Sequence, residues 1–169
     1  MTQTEFLNLV MPFKDKVFRL AKRLLVSTEE AEDATQEILL KLWRNKNKIE
    51  GYKSVEAFSM TMTKNFCFDK LKSKQAQNLK IVHSNYEDGN ISLQKQLEVN
   101  DSVNWVAKII ETLPKQQKMI IQLRDIEEYD FDEIAKILDM NNTAVRVALS
   151  RARKTIREKL TNTHNYGIK

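Results

Sequence analysis

A single cysteine, Cys67, is all the thiol this sequence offers, which excludes a disulfide framework and a thiolate metal cluster. Set among Phe66, Phe68 and Leu71, it reads as a small buried apolar residue. The two histidines, His83 and His164, stand apart, and neither an HExxH pair nor a glycine-rich phosphate loop occurs. No enzymatic activity, metal or cofactor is therefore expected. Three glycines and two prolines in 169 residues leave little to punctuate strands or tight turns, so the expected fold class is all-α. No apolar run approaches the ~20 residues that span a bilayer. The segment Met1-Thr-Gln-Thr-Glu-Phe6 lacks a basic start followed by an apolar stretch. A soluble cytoplasmic protein without membrane insertion is the expectation.

What is present is apolar residue at helical spacing and charge in separate blocks. Hydrophobic residues make up 41% of the chain, enough for compact helical cores in one domain or two small ones. The net charge of +5 is modest, but acid collects at Glu29, Glu30, Glu32, Asp33 and Glu37 and again from Asp125 to Glu133. Base collects at Lys64, Lys70, Lys72, Lys74 and Lys80 and in the last long helix. Such segregation suits two kinds of partner, a polyanion and a basic protein surface.

The most specific pattern runs from Tyr129 to Lys154. Asp130 with Glu133 forms a capping box for a short helix with Ile134, Ala135 and Leu138 inside. Asp139-Met140-Asn141-Asn142 supplies a turn, and Asn141 or Asn142 can cap the next helix. In that second helix Val145, Leu149, Ala152 and Ile156 form one buried stripe, opposite Thr143, Val147, Ser150 and Lys154. Arg146, Arg151, Arg153 and Arg157 flank it. This is a helix-turn-helix, in which Thr143, Arg146, Val147, Ser150 and Arg151 would read base edges while Arg153, Lys154, Arg157 and Lys159 hold phosphates.

Upstream, Phe6, Leu9, Val10, Phe13, Val17, Leu20, Ala21 and Leu24 describe an amphipathic helix that Pro12 is expected to kink or delay. Ser27 and Glu30 read as a capping box for a second helix with Ala31, Ala34, Ile38 and Leu42 inside. Its outer face carries Asp33, Gln36, Glu37, Leu40 and Lys41. Leu40 and Trp43 are apolar for plain solvent, so this face is either a docking surface or a solvated acidic face with Trp43 tucked into the core. Lys46 to Lys53 reads as a loop, and Ser54 opens a third helix lined by Val55, Phe58, Met62 and Phe66. The other side of that helix, with Lys64 and Asn65, together with Tyr52 in the loop, fits either single-strand binding or a solvated face.

From Ser73 to about Asn100 the composition turns polar and the period is lost, which marks a flexible linker. Asp101 then caps a helix with Val103, Val106, Ile109 and Ile110 inside, and Pro114 at a first helical position starts another through Met119, Ile120 and Leu123. The expected organisation is an N-terminal helical domain at 1–74, a linker at 75–100, a helix-turn-helix domain at 101–162 and a tail at 163–169.

This order of elements resembles the extracytoplasmic-function group of bacterial RNA polymerase sigma factors. Ala31-Glu-Asp-Ala-Thr-Gln-Glu-Ile-Leu-Leu-Lys-Leu-Trp43 is similar to the segment that binds the clamp helices of the largest polymerase subunit. Phe58 to Leu71 resembles the helix after the promoter-melting loop. Leu113-Pro114, Ile134-Ala135, Val145 and Leu149-Ser-Arg-Ala-Arg153 resemble the domain that reads the minus-thirty-five element. The resemblance implies that Asp33, Gln36, Glu37 and Leu40 contact core RNA polymerase, whose clamp helices and flap would be the docking points. It implies that Lys48, Gly51, Tyr52 and Lys53 receive a base flipped from the minus-ten element, with Lys64 and Asn65 beside it. It also implies promoter DNA and an anti-sigma factor as partners.

The chain departs from the family pattern at Asp139, where Gly is usual, and at Ala144, Val147 and Ala148, so its target sequence is its own. A spacer of about 16 base pairs spans on the order of 55 Å, which the linker reaches only when held stretched. Weak promoter binding by the free chain is the expectation. Two rival readings are a dimeric helix-turn-helix regulator of closed duplex DNA and a helical enzyme. The first leaves the Asp33, Gln36 and Trp43 pattern without a purpose, and the second lacks a catalytic constellation.

Overall fold

The computed structural model describes residues 1–81 and 102–167, and every regular element among them is helical. The N-terminal half comprises α1 (Gln3–Leu25), α2 (Thr28–Arg44), a single-turn α3 (Lys46–Ile49) and α4 (Val55–Ile81). The C-terminal half comprises α5 (Ser102–Glu111), α6 (Lys115–Ile121), a π-helical turn (Gln122–Ile126), α7 (Phe131–Leu138) and α8 (Asn142–Gly167). The bounds expected for the linker and tail overlap residues outside this description, as does the cap expected at Asp101.

Helix α1 is the axis of the N-terminal half, packing against both α2 and α4. It starts at Gln3 because Thr2 and Glu5 cap each other, the hydroxyl accepting from the Glu5 amide at 3.2 Å and the carboxylate from the Thr2 amide at 2.8 Å. Pro12 neither delays nor interrupts it. The proline lies on an exposed stretch, where the carbonyl it leaves unbonded, that of Asn8, can be hydrated. Val10, Val17, Leu20, Ala31, Ala34, Ile38 and Leu42 are essentially inaccessible, as the spacing requires. The helix ends at Val26 in the left-handed region (φ 68°), an uncommon place for a β-branched residue. Its amide bonds back to the Lys22 carbonyl at 2.8 Å, and the Lys22 ammonium closes onto the Val26 carbonyl at 2.9 Å.

Several expectations need correction. The Ser27 hydroxyl does accept from the Glu30 amide, but the Glu30 carboxylate pairs with Lys74 of α4 instead of returning to the cap. The supposed loop at Lys46 to Lys53 begins with α3, held by Lys48 and Ile49 amides on the Asn45 carbonyl and anchored by buried Ile49. The core line of α4 is Val55, Ser59, Met60, Thr63 and Cys67, while Phe58, Met62 and Phe66 sit half-buried beside it. Ser59 and Thr63 are tolerated inside because their hydroxyls donate to the Val55 and Ser59 carbonyls at 2.7 Å. Helix α4 also runs on to Ile81, so the first part of the expected linker is helical. Pro114 is the N-cap of α6 and not its first residue (ψ 150°).

In the C-terminal half, α7 and α8 pack on each other and α6 and α5 pack on α8. Val145, Leu149 and Ala152 are buried as expected, Ile156 at the far end of the stripe is only half-buried, and Ile137 joins Ile134 and Leu138 on the inner face of α7. The two halves touch. Helix α1 lies against α6 and the π turn, and α4 lies against α7.

Candidate nucleic-acid interface

Two surfaces gather the residues expected to meet nucleic acid. The first is the helix-turn-helix. Asp130 and Glu133 form the expected capping box, at 2.7 and 3.1 Å, and Asp139 takes up the left-handed turn angles (φ 53°, ψ 51°) that its side chain tolerates. Asn141 is the cap of α8, accepting from the Ala144 amide at 2.7 Å. Asn142 has a different task. Its amide donates to Asp132 at 2.7 Å and its oxygen accepts from Arg146 Nε at 2.6 Å. The Arg146 guanidinium also lies 4.7 Å from the Phe131 ring centroid, with Arg124 against the same ring at 4.5 Å. Arg146 is thus held in place before any ligand arrives.

Thr143, Val147, Ser150, Arg151 and Lys154 are exposed along one side of α8, Val147 at 44%. A groove of about 580 Å³ runs beside Thr143, Val147 and Arg151 and is also lined by Gln116 and Gln117 of α6. Those glutamines were missed at the level of sequence, although the Lys115-Gln-Gln-Lys118 run after Pro114 is a polar signal at a helix start. Arg153 differs from its neighbours: it forms a two-point pair with Asp125, at 2.5 and 3.2 Å, and this hydrogen bonding raises its pKa further. Arg151, Lys154 and Arg157 make no ion pair among the described residues. Lys159 donates to the Thr112 hydroxyl at 2.6 Å.

The second surface is the α3–α4 corner. Lys48, Gly51, Tyr52 and Lys53 are all exposed, and the Tyr52 ring meets Phe58 edge-on at 4.9 Å. A recess of about 460 Å³ opens here, lined by Pro12, Phe13, Ile49, Tyr52, Lys53 and Val55. Asn65 is exposed one turn or more further along α4. Lys64 points elsewhere: its ammonium donates to the Ile137 carbonyl at the end of α7, at 3.0 Å. The outer face of α2 has Asp33, Gln36 and Leu40 exposed and Glu37 half-exposed. Trp43 belongs to the core side, edge-on to Phe6 at 5.1 Å with the Lys46 ammonium 3.8 Å from its ring centroid.

Burial pushes the Cys67 thiol up to about 12, so it is no nucleophile at neutral pH. Burial also raises Tyr129, whose ring carries the Lys16 ammonium at 5.1 Å. No cluster of His, Cys, Asp or Glu among the described residues could hold a metal ion, and no helix among them is long and apolar enough to cross a membrane.

Comparison with known proteins agrees with this geometry. Residues 9–77 match the family model Sigma-70 region 2 and residues 104–156 match Sigma-70, region 4. The chain is 24% identical to the ECF RNA polymerase sigma factor SigW of Bacillus subtilis, over 94% of this chain and 90% of that one. It is 26% identical to the ECF RNA polymerase sigma-E factor of Escherichia coli, over 94% and 87%. Its fold is similar to the sigma factor RpoE solved with the anti-sigma factor NepR from Bartonella quintana, with a TM-score of 0.76 at 16% identity over 93% and 97% of the two chains. It is also similar to CnrH solved with the cytosolic domain of CnrY, with a TM-score of 0.70 at 17% identity over 95% and 90%. Two matched regions in family order, over most of the chain, place it: this chain belongs to the extracytoplasmic-function group of RNA polymerase sigma factors, regulatory proteins of promoter-specific transcription initiation and not enzymes.

Proposed function

We propose that this chain binds core RNA polymerase and divides promoter reading between its halves, α8 on the duplex minus-thirty-five element and the α3–α4 corner on opened minus-ten DNA. The observation that carries the division is the exposed side of α8, where Thr143, Val147 and Arg151 stand beside a groove, Ser150 is exposed next to them and Arg146 is already oriented. An arginine fixed at the start of such a helix can fork onto guanine, and Val147 can meet a thymine methyl. Arg153, Lys154 and Arg157 follow where the helix meets phosphates. Lys48, Gly51, Tyr52, Lys53, Lys64 and Asn65 form the minus-ten surface, with the recess beside Tyr52 receiving an unstacked base.

Core polymerase docks on α2 through Asp33, Gln36, Glu37 and Leu40, an exposed acidic face with one apolar anchor, 41% exposed at Leu40. An anti-sigma factor is a natural further partner, since the fold relative RpoE was solved with one. The place of action is the cytoplasm, where polymerase and promoter DNA are. No cofactor is needed, because binding the opened strand itself favours melting.

The test is run-off transcription on genomic fragments with core polymerase, with and without this chain. Transcripts that require it, and disappear with Arg146→Ala/Arg151→Ala, are expected. Failure to bind core polymerase at micromolar concentration would favour the dimeric duplex-binding regulator.

A further inference from the structure

We infer that a polar latch between α1 and the π turn holds the two halves of the free chain shut, and that it must open before the minus-ten surface can work. The consequence for initiation presupposes the function proposed above; the latch itself does not. Four side chains make it, two from each half. Arg19 donates to both oxygens of Glu127, at 2.5 and 2.8 Å. Gln122 donates to Glu127 at 3.2 Å and accepts from Arg23 Nε at 3.0 Å. The Glu127 side chain is 2% exposed although it sits within an acidic run whose other members, Asp125, Glu128, Asp130, Asp132 and Glu133, face solvent.

Such a cluster suits a switch better than a permanent joint. A carboxylate buried against one guanidinium gains little over an apolar contact of equal size, yet depends steeply on geometry. When the halves part, both charges return to water, so the open state carries no orphaned ion. The same closure engages Lys64, whose ammonium sits on the Ile137 carbonyl at the negative end of the α7 dipole. Lys115 of α6 meanwhile lies 5.7 Å from the Phe68 ring centroid on α4. One of the proposed minus-ten contacts is therefore occupied by the helix-turn-helix itself.

Size adds an independent reason. A compact chain of this length is about 40 Å across, whereas elements separated by about 16 base pairs lie on the order of 55 Å apart. A shut chain cannot sit on both. Ile81 and Ser102 bound a stretch of about 20 residues, whose extended reach of about 70 Å is sufficient once the latch lets go.

The experiment is single-molecule energy transfer on the full chain carrying Cys67→Ala, with dyes at Glu29→Cys in α2 and Glu158→Cys in α8. One short-distance population is expected. Arg19→Ala and the milder Glu127→Gln should each move the closed-to-open ratio by about tenfold or more toward open. The exchanged pair Arg19→Glu/Glu127→Arg should recover the short distance, which a general loss of folding would not. Affinity for single-stranded DNA of randomised sequence should rise in the open variants by a similar factor, since the closed population, with Lys64 held on Ile137, no longer subtracts from it. An unchanged distance distribution in Arg19→Ala overturns the latch, and a changed one with unchanged single-strand affinity overturns its gating role. If the distances shift as expected but neither wild type nor any variant binds core polymerase, the latch stands and the proposed function fails.

Discussion

Helix α8 presents Thr143, Val147, Ser150 and Lys154 to solvent with Arg146 braced by Asn142 and Phe131, whereas α4 has its Lys64 ammonium committed to the Ile137 carbonyl of the other half. Both helices are basic, and both carry residues suited to nucleic acid. They differ in what surrounds them. Helix α8 is supported from behind chiefly by α5, α6 and α7 of its own half, so its outward side is complete in the shut chain. The α4 surface shares its border with α7 and becomes complete only when the halves separate. A basic face in the sequence is thus a capacity, and its neighbours in space decide when it is available.

The harshest way to break the comparison is Val145→Asp, which places an unpaired charge at a fully inaccessible position of α8. A loss of about 4 kcal/mol or more is expected in the C-terminal half. Hydrogen exchange should show protection lost in α6 to α8 and retained in α1 and α2, because the latter pair pack largely on each other and on α4. Next come the two arginines proposed to read bases. Arg146→Ala and Arg151→Ala should each cost about 1–3 kcal/mol in holoenzyme binding to the minus-thirty-five duplex and relax its base preference. Equal losses on every sequence would instead make them phosphate contacts. Asp130→Ala should lower stability by about 1 kcal/mol through the lost cap, measured by denaturant melting. The smallest and most discriminating test compares Lys154→Ala with Arg153→Ala. The salt slope of DNA binding should fall by about 1 for Lys154 and by less for Arg153, whose charge is already matched by Asp125.

Local patterns carried most of what was legible. Asp130 and Ser54 cap the helices they were expected to cap, and Asn141, one of two candidates, caps α8, because capping is decided within three residues. The α2 stripe is buried as spaced, as are Val145, Leu149 and Ala152 of the α8 stripe, and the family signature spans both halves. Misreadings arose where a local pattern had a distant competitor. Glu30 leaves its box for Lys74, and Thr63 is more buried than Phe58 because its hydroxyl is satisfied inside its own helix. The Arg19–Glu127 pair spans more than half the chain, so no window shows it. One sign was visible: Gln122 interrupts the apolar run Met119-Ile-Ile-Gln-Leu123 at a position with no reason to be polar unless something reaches it from elsewhere.

The π turn contains one residue more than an α-helix would use, with the Glu127 amide reaching five places back to the Gln122 carbonyl at 3.0 Å. That surplus works as a phase setting. Deleting Arg124 would let the helix revert to ordinary winding and swing everything after it by about 100°, turning Glu127 away from Arg19 without altering either charge. Whether the two halves recognise each other is in this sense a matter of counting, written into the length of a five-residue turn.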